Sequence, residues 1–393
     1  MAKNIVTTRL FRNLVKGSEH CISRHSYRSC SSSACNQTCR SWAVHKYGGS
    51  MQMAVDGRIP VITDPNDVLI KVSAASVNPI DIKMTGGYGR KLIHTMRQMD
   101  GMACSVKELP LTPGRDCSGT VVATGSNVTN YRPGDEVWSA VAAHRPGTHA
   151  DYVLTAASAV SRKPSSLSHV DAASFPYVAC TVWSALCTMG GLHPRNTPMK
   201  RVLILAGSGG IGNFAIQLMK AWGANVTVLC STSAIDTVAS MGPDCIVNYE
   251  SDHVETELKK YEGFDVILHN VGSGKYAQAI NVLKSWNNSQ YISIDTPMLS
   301  STDSLGLIAG SATACSILGV KTLQGLMEGK YYKWAFFQPH GKALSTVADL
   351  IDKHQISPNV ERVYAFDELP LAYERVTGGH LLGKIVIDVA GTS

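Results

Sequence analysis

The stretch Val202-Leu-Ile-Leu-Ala-Gly-Ser-Gly-Gly-Ile-Gly212 constrains this chain more than any other. Val202 to Leu205 is an unbroken apolar run, the pattern of a strand covered on both faces. Gly207, Gly209 and Gly212 then make a G-x-G-x-x-G turn. Beyond it Ile211, Phe214, Ala215, Leu218, Ala221 and Trp222 recur at the spacing of one buried helical face. Strand, glycine turn and helix in that order give the motif its meaning as a dinucleotide fingerprint. Gly207 permits the turn, Gly209 lets the backbone approach a pyrophosphate, and Gly212 allows the helix to pack closely. The unpaired N–H groups and positive end of the helix face the anion. Ser208, Gly209, Gly210 and Ile211 are therefore the expected phosphate contacts.

The chain divides around this motif. From about residue 48 to 164 it reads as short strands and turns. Val68–Ala74 and Cys117–Ala123 are strands, the second ending in the turn Gly125-Ser-Asn127. Tyr131-Arg-Pro-Gly-Asp135 is a turn leading into Glu136-Val-Trp138. Residues 91–107, polar and Met-rich, read as a surface insertion or mobile loop. A helical segment over 172–189 precedes the motif. Strands at 226–230, 245–247, 264–268 and 291–294 then alternate with helical stretches at 233–241, 255–261 and 277–283. That alternation predicts βαβ units and a parallel sheet. A helix over 344–353 and a strand over 383–389 close the chain. The simplest architecture is an α/β protein in which a mostly β domain, 41–170 and 339–393, is interrupted by a nucleotide-binding domain, 171–338.

Charge sharpens this picture. The formal net charge is +6, but residues 1–50 hold eight Lys and Arg against the single acid Glu19. The remainder carries 28 bases and 29 acids, so a nucleic-acid surface is not predicted. Residues 1–40 are Ser-rich and acid-poor, and Ile5, Leu10, Phe11, Leu14 and Val15 alternate with spaced bases. This is the profile of a mitochondrial presequence, which predicts a matrix protein and leaves membrane association open. The eleven cysteines contain no CxxC pair and several lie in apolar runs, so reduced thiols in a non-secretory compartment are expected. No membrane span is predicted.

The second strand of the nucleotide domain ends in Cys230-Ser231-Thr232, at the distance where NAD enzymes carry an acid for the ribose diol. Small hydroxyls at Ser231 and Thr232 leave room for a 2′-phosphate and predict NADPH over NADH; their alternative role is helix capping. One feature opposes that preference: no Lys or Arg lies between Asn225 and Asp252. Asn270 follows a buried strand, where it can bond a cofactor ribose or amide or simply shape the turn before Gly272.

Ordered landmarks extend the reading. They are Ser76-Val-Asn-Pro-Ile-Asp81, Leu111-Thr-Pro-Gly-Arg-Asp116, Tyr131 to Trp138, Pro176 to Ala185, Trp334-Ala-Phe-Phe337 and Gly379-His380 with Gly383-Lys384. With these the chain resembles the zinc-free quinone oxidoreductase branch of the medium-chain dehydrogenase/reductase superfamily, over about residues 45–390. The resemblance implies a GroES-like, mostly β catalytic domain and a Rossmann-type parallel-sheet domain. It implies NADPH as cofactor and a quinone or related conjugated carbonyl (an enone) as substrate. It adds Tyr249 at the edge of the adenosine pocket, and Phe337 and His380 near the cofactor. It places the Asn78–Asp81 segment beside the nicotinamide, which makes Asn78, Asp81 and Tyr88 the candidate catalytic residues. An amide or phenol there can polarise a carbonyl as charge develops on it, although Asp81 can equally cap a helix. The resemblance also places the segment from Gly379 to Lys384 near the cofactor, and the alternative for Lys384, which opens the last strand, is an exposed base. Zinc-dependent relatives carry a cysteine within the segment matching 78–81, a His-Glu pair at 115–116 and a cysteine near 177. Asn78, Arg115-Asp116 and Tyr177 stand here instead, so no zinc is expected. The resemblance further implies a link to ubiquinone biosynthesis, with proteins of that process and reticulon as partners. Monomer or homodimer stays open, as do two other readings: an enoyl-thioester reductase, and an NADPH-bound scaffold without turnover.

Overall fold

Strands of three to eleven residues build a two-stranded, a six-stranded and a seven-stranded sheet, and the course of the chain between the two larger ones creates the site. The computed structural model describes residues 38–100, 108–251, 254–261, 263–272 and 277–391. The expected presequence lies outside the described residues up to residue 37. Thr38, Cys39 and Arg40 belong instead to the first strand, because Arg40 pairs with Asp151 at 2.8 Å and donates to the Val389 carbonyl at 2.9 Å.

The first lobe contains β1 (Thr38–Val44), β2 (Met51–Arg58), β3 (Asp67–Val77), β4 (Asp116–Thr124), β5 (Glu136–Ala140), β6 (Tyr152–Ala156) and β7 (Val160–Arg162). The second contains β8 (Arg201–Ile204), β9 (Asn225–Cys230), β10 (Cys245–Asn248), β11 (Val266–His269), β12 (Ser289–Ser293) and β13 (Lys330–Trp334). β14 (Val360–Ala365) and β15 (Lys384–Asp388) then return to the first lobe, whose large sheet has the order β14-β15-β3-β4-β5-β7 with β6 on β3. The second sheet is parallel, in the order β10-β9-β8-β11-β12-β13. Its strand order reverses between β8 and β11, which opens a crevice beyond their carboxyl ends.

Five helices matter for the site: α1 (Pro79–Thr85), α2 (Arg90–Met99), α3 (His169–Ala173), α4 (Pro176–Val182) and α5 (Gly210–Ala221). α2 corrects the reading of 91–107 as insertion or loop over its first half. Ile93 and Arg97, one helical turn apart, are its buried residues, too few to leave an apolar stripe in the sequence. The segment expected as one helix over 172–189 is broken at Pro176, which lacks the N–H needed to continue α3. After α4 it widens into a π-helix over Trp183–Met189. The stretch His169–Met189 is long and apolar enough to cross a bilayer by length and composition, but 72% of its 18-residue apolar window is buried inside the protein, as in a core helix.

α4 and α5 pack with β8 and β9. Val178, Val182, Val202, Ile204, Phe214, Leu218, Val226 and Val228 form one buried cluster. Each such side chain contributes about 1.5–3 kcal/mol by leaving water. In the first lobe Val68, Ile70, Val72, Cys117, Val121, Ile385 and Ile387 do the same. Ile385 lies opposite Val77, and Val386 opposite Ser76. That register brings Lys384, from the far end of the sequence, beside Asn78.

Candidate active site

The glycine turn is shaped by what surrounds it. A Cβ on Gly207 would lie 2.2 Å from Val228 Cγ1, and one on Gly212 would lie 1.8 Å from the Ala206 carbonyl oxygen. Both glycines are required by packing. Gly209 differs: nothing lies within 4 Å of its Cβ position, so the backbone is bare and open. Gly209 caps α5, whose first N–H groups have no intrahelical acceptor and carry the positive end of the helix dipole. Ser208, Gly209, Gly210 and Ile211 are all partly exposed along this edge. The turn fits a pyrophosphate.

Asn270 braces the turn from β11. Its Oδ1 accepts from the Ala206 N–H at 3.0 Å, and its Nδ2 donates to the Ala206 carbonyl at 2.8 Å. With both ends of the amide engaged, Asn270 fixes the residue before Gly207 in place, which is the turn-shaping alternative of the sequence reading. Tyr249, just past β10, donates its backbone N–H to the Cys230 carbonyl at 3.0 Å and packs against the second lobe's core. Ser231 Oγ lies 3.1 Å from Ser233 Oγ. Thr232 donates from its backbone at 3.0 Å and its hydroxyl at 2.7 Å to the Glu250 carboxylate. His380 is exposed, with φ +50, and its imidazole is close enough to Glu250 to stabilise the carboxylate.

On the first lobe Asn78 and Asp81 belong to a buried polar network, 1% and 0% exposed. Asp81 accepts from the Asn78 N–H at 2.8 Å and the Gly114 N–H at 3.1 Å, with Arg115 Nε 3.8 Å away. Burial pushes the Asp81 carboxyl up to about 7, opposed by the Arg115 charge and the Asn78 N–H. Asp116 accepts from Ser76 Oγ at 2.7 Å, Asn78 Nδ2 at 3.3 Å and the Tyr177 N–H at 3.2 Å. Lys384 Nζ donates to Asn78 Oδ1 at 2.5 Å and lies 3.8 Å from Asp116. Burial lowers the Lys384 pKa while Asp116 and Asp81 oppose the fall.

Lys384 also touches the nucleotide side, since a Cβ on Gly210 would sit 2.8 Å from Lys384 Cδ. One side chain thus supports the phosphate turn with its stem and orients the Asn78 amide with its head. Of the two sequence readings of Lys384, the exposed base is corrected: it is 7% exposed.

Tyr88 sits apart from this network. Its turn has left-handed glycines on both sides, Gly87 at φ +90 and Gly89 at φ +78. The Gly89 N–H donates to Asp303 at 2.5 Å and the Lys91 N–H at 3.2 Å, tying the turn to the second lobe. The Tyr88 ring is half-buried, with Lys83 Nζ 5.5 Å from its centroid. Burial, then Asp295 and Asp303, raise its pKa and keep the phenol protonated. Phe337 stacks at a tilt on Tyr177, ring centroids 4.5 Å apart.

Comparison with known proteins decides the family. The protein named "NAD(P)H oxidoreductase RTN4IP1, mitochondrial" of Mus musculus is 44% identical over 350 residues, 88% of this chain and 88% of that protein. Its namesake in Danio rerio is 42% identical over 372 residues, covering 94% and 96%. The chain belongs to this NAD(P)H oxidoreductase family. It is an enzyme of the medium-chain dehydrogenase/reductase superfamily. The alcohol dehydrogenase GroES-like domain family matches residues 64–165, and the family described as zinc-binding dehydrogenase matches 241–387. The quinone oxidoreductase structure from Coxiella burnetii shares the fold, with a TM-score of 0.68 at 24% identity, over 90% of this chain and all (100%) of that one.

Despite that family description, the residues here do not fit zinc. Asn78 and Asp116 flank the Lys384 ammonium, Tyr177 donates its backbone N–H to Asp116, and the Arg115 guanidinium lies beside Asp81. A second cation at this point would be repelled and would lack thiolate or imidazole ligands. Among the described residues no group of three or more His, Cys, Asp or Glu side chains is gathered to hold a metal. A nicotinamide dinucleotide does fit, on the bare backbone at Gly209 and the start of α5.

Sequence reasoning passed over Arg115, Ser76 and Glu250, and reached Lys384 only as part of a segment near the cofactor. A base opening a strand whose five residues are all buried was the available signal for Lys384.

Proposed function

We propose that this chain reduces a quinone, or a related conjugated carbonyl, with NAD(P)H in the mitochondrion. The observation that carries the reading is the open turn at Gly209, joined through Lys384 to the Asn78–Asp116 network. Bound NAD(P)H supplies a hydride from its nicotinamide ring. The chain's own residues bind, orient and polarise. Backbone N–H groups of Ser208 to Ile211 hold the pyrophosphate, and Asn270 keeps the turn in shape. Asn78 and Asp81 act as positioning residues: their polar atoms are spent on Lys384, Asp116, Ser76 and the N-terminus of α1.

Tyr88 is the proton donor in this reading. Its phenol hydrogen-bonds the substrate oxygen as negative charge grows there, and its raised pKa keeps the proton available at neutral pH. The compartment is supported by the names of the relatives and by the basic, acid-poor first 40 residues. A role in ubiquinone biosynthesis, with partners from that process and reticulon, rests on the family resemblance.

The test is turnover. Chelator-treated protein is mixed with NADH or NADPH and a panel of quinones, enones and enoyl thioesters, and loss of the reduced nicotinamide is followed by absorbance. Saturable oxidation with quinones or enones is expected. Oxidation with enoyl thioesters alone would move the substrate class, and none with any acceptor would remove the catalytic reading.

A further inference from the structure

The hydroxyl of Thr232, which the sequence offers to a 2′-phosphate, is committed to a carboxylate. Glu250 comes from just beyond β10 and reaches across to the end of β9, where Thr232 donates to it twice, at 3.0 and 2.7 Å. Asn248 Nδ2 donates to the Thr232 hydroxyl at 2.8 Å, and the Glu250 N–H donates to Asn248 Oδ1 at 2.9 Å. Three residues therefore build the corner, and the loop holds Glu250 in one place. Its side chain faces solvent, and the Thr232 bonds keep its carboxyl below the ordinary range, with His380 adding to the effect. It is ionised at neutral pH.

The corner matters because of its place in the sheet. β9 neighbours β8, whose end leads into the glycine turn, and the adenosine ribose of a bound dinucleotide reaches the carboxyl end of this second strand. An acid at that point accepts from the ribose 2′-hydroxyl, and a base there accommodates a 2′-phosphate. No Lys or Arg lies between Asn225 and Asp252 to supply the base.

We propose that Glu250 is a cofactor-selectivity residue, its carboxylate accepting from the 2′-hydroxyl of NADH and opposing the 2′-phosphate of NADPH. The proposal rests on the reading of the Gly207–Gly212 turn as a nicotinamide dinucleotide site. It moves the balance away from the NADPH preference that Ser231 and Thr232 predict, without removing NADPH as a ligand.

Glu250→Gln tests it, because the amide oxygen still accepts from Thr232 while the charge is gone. Dissociation constants for NADH and NADPH are measured by nicotinamide fluorescence on wild type, E250Q and E250K, with melting temperatures as the check on folding. In E250Q the NADPH constant should fall by about 10-fold and the NADH constant should change by less than about 3-fold. E250K should favour NADPH further. An unchanged NADPH-to-NADH ratio in both variants overturns the selectivity role alone. Absence of saturable binding of either dinucleotide to wild type overturns the dinucleotide site, and this proposal with it.

Discussion

The glycine turn and the Asn78 network lie on opposite sides of Lys384, yet they do their work with different parts of the chain. In the turn the active groups are backbone. Gly207 and Gly212 are needed because a side chain would strike Val228 or the Ala206 carbonyl, and Gly209 is needed because nothing must stand above it. In the network the active groups are mostly side chains that define one another: Asn78 is oriented by Lys384, and Asp116 by Ser76 and the Tyr177 N–H. Asp81 is oriented by the Asn78 and Gly114 N–H groups, with the Arg115 charge 3.8 Å away. Backbone chemistry of the first kind tolerates few residue types and leaves a local motif. Side-chain chemistry of the second kind depends on partners up to 306 residues apart and leaves no local motif.

The largest effect that can break this contrast is at Gly212. Gly212→Val places carbon against the Ala206 oxygen and should destabilise the fold by about 3 kcal/mol or more, read from denaturant unfolding. Normal stability would mean that the turn is not packed as described.

Next in size is the share of His149 in the acid response of the first lobe, which the raised carboxyl of Asp81 opposes over the same pH range. This buried imidazole lies 3.2 Å from the Ser76 carbonyl oxygen and 3.2 Å from the Tyr373 hydroxyl, and burial lowers its pKa from 6.5 to about 3. Below pH 6.5 His149 binds a proton in the unfolded chain that it refuses in the folded chain, so its contribution to stability falls as pH falls. The slope is about 1.4 kcal/mol per pH unit, or about 2 kcal/mol lost by pH 5. His149→Gln, able to make both hydrogen bonds, should remove that slope from the difference between the two unfolding curves. Parallel curves would place His149 outside the buried network.

The smallest effect belongs to Tyr88, held by its glycines and Asp303 rather than by the network. Tyr88→Phe keeps the ring and loses the hydroxyl, and turnover should drop by about 10-fold with NADPH affinity unchanged. Equal loss in affinity and turnover would make Tyr88 a wall of the binding site. Unchanged turnover would remove it as donor.

The same contrast explains what could be read from the sequence. The parallel sheet, the strand before the turn and α5 follow from apolar runs and helical spacing, which are local. The return of the chain through β14 and β15 was visible as a terminal strand, but its register against β3, which brings Lys384 to Asn78, is a tertiary fact. α2 was missed because only Ile93 and Arg97 are buried along it. Asn270 was legible as a residue near the turn but not as its brace, since that role needs both its bonds to Ala206. Ser231 and Thr232 were legible as hydroxyls at the end of β9, but Glu250, which takes the Thr232 hydroxyl, comes from beyond the next strand.

Titration of chelator-treated wild type and Gly209→Val with NADH and NADPH, followed by nicotinamide fluorescence, tests the central claim most directly. Gly209 has open space above it, so the valine should fold with an unchanged melting temperature while filling the pyrophosphate position. Saturable binding to wild type without metal, weakened by about 10-fold or more for both dinucleotides in the variant, is the predicted result. No saturable binding to wild type, or equal affinity in the folded variant, would contradict the account.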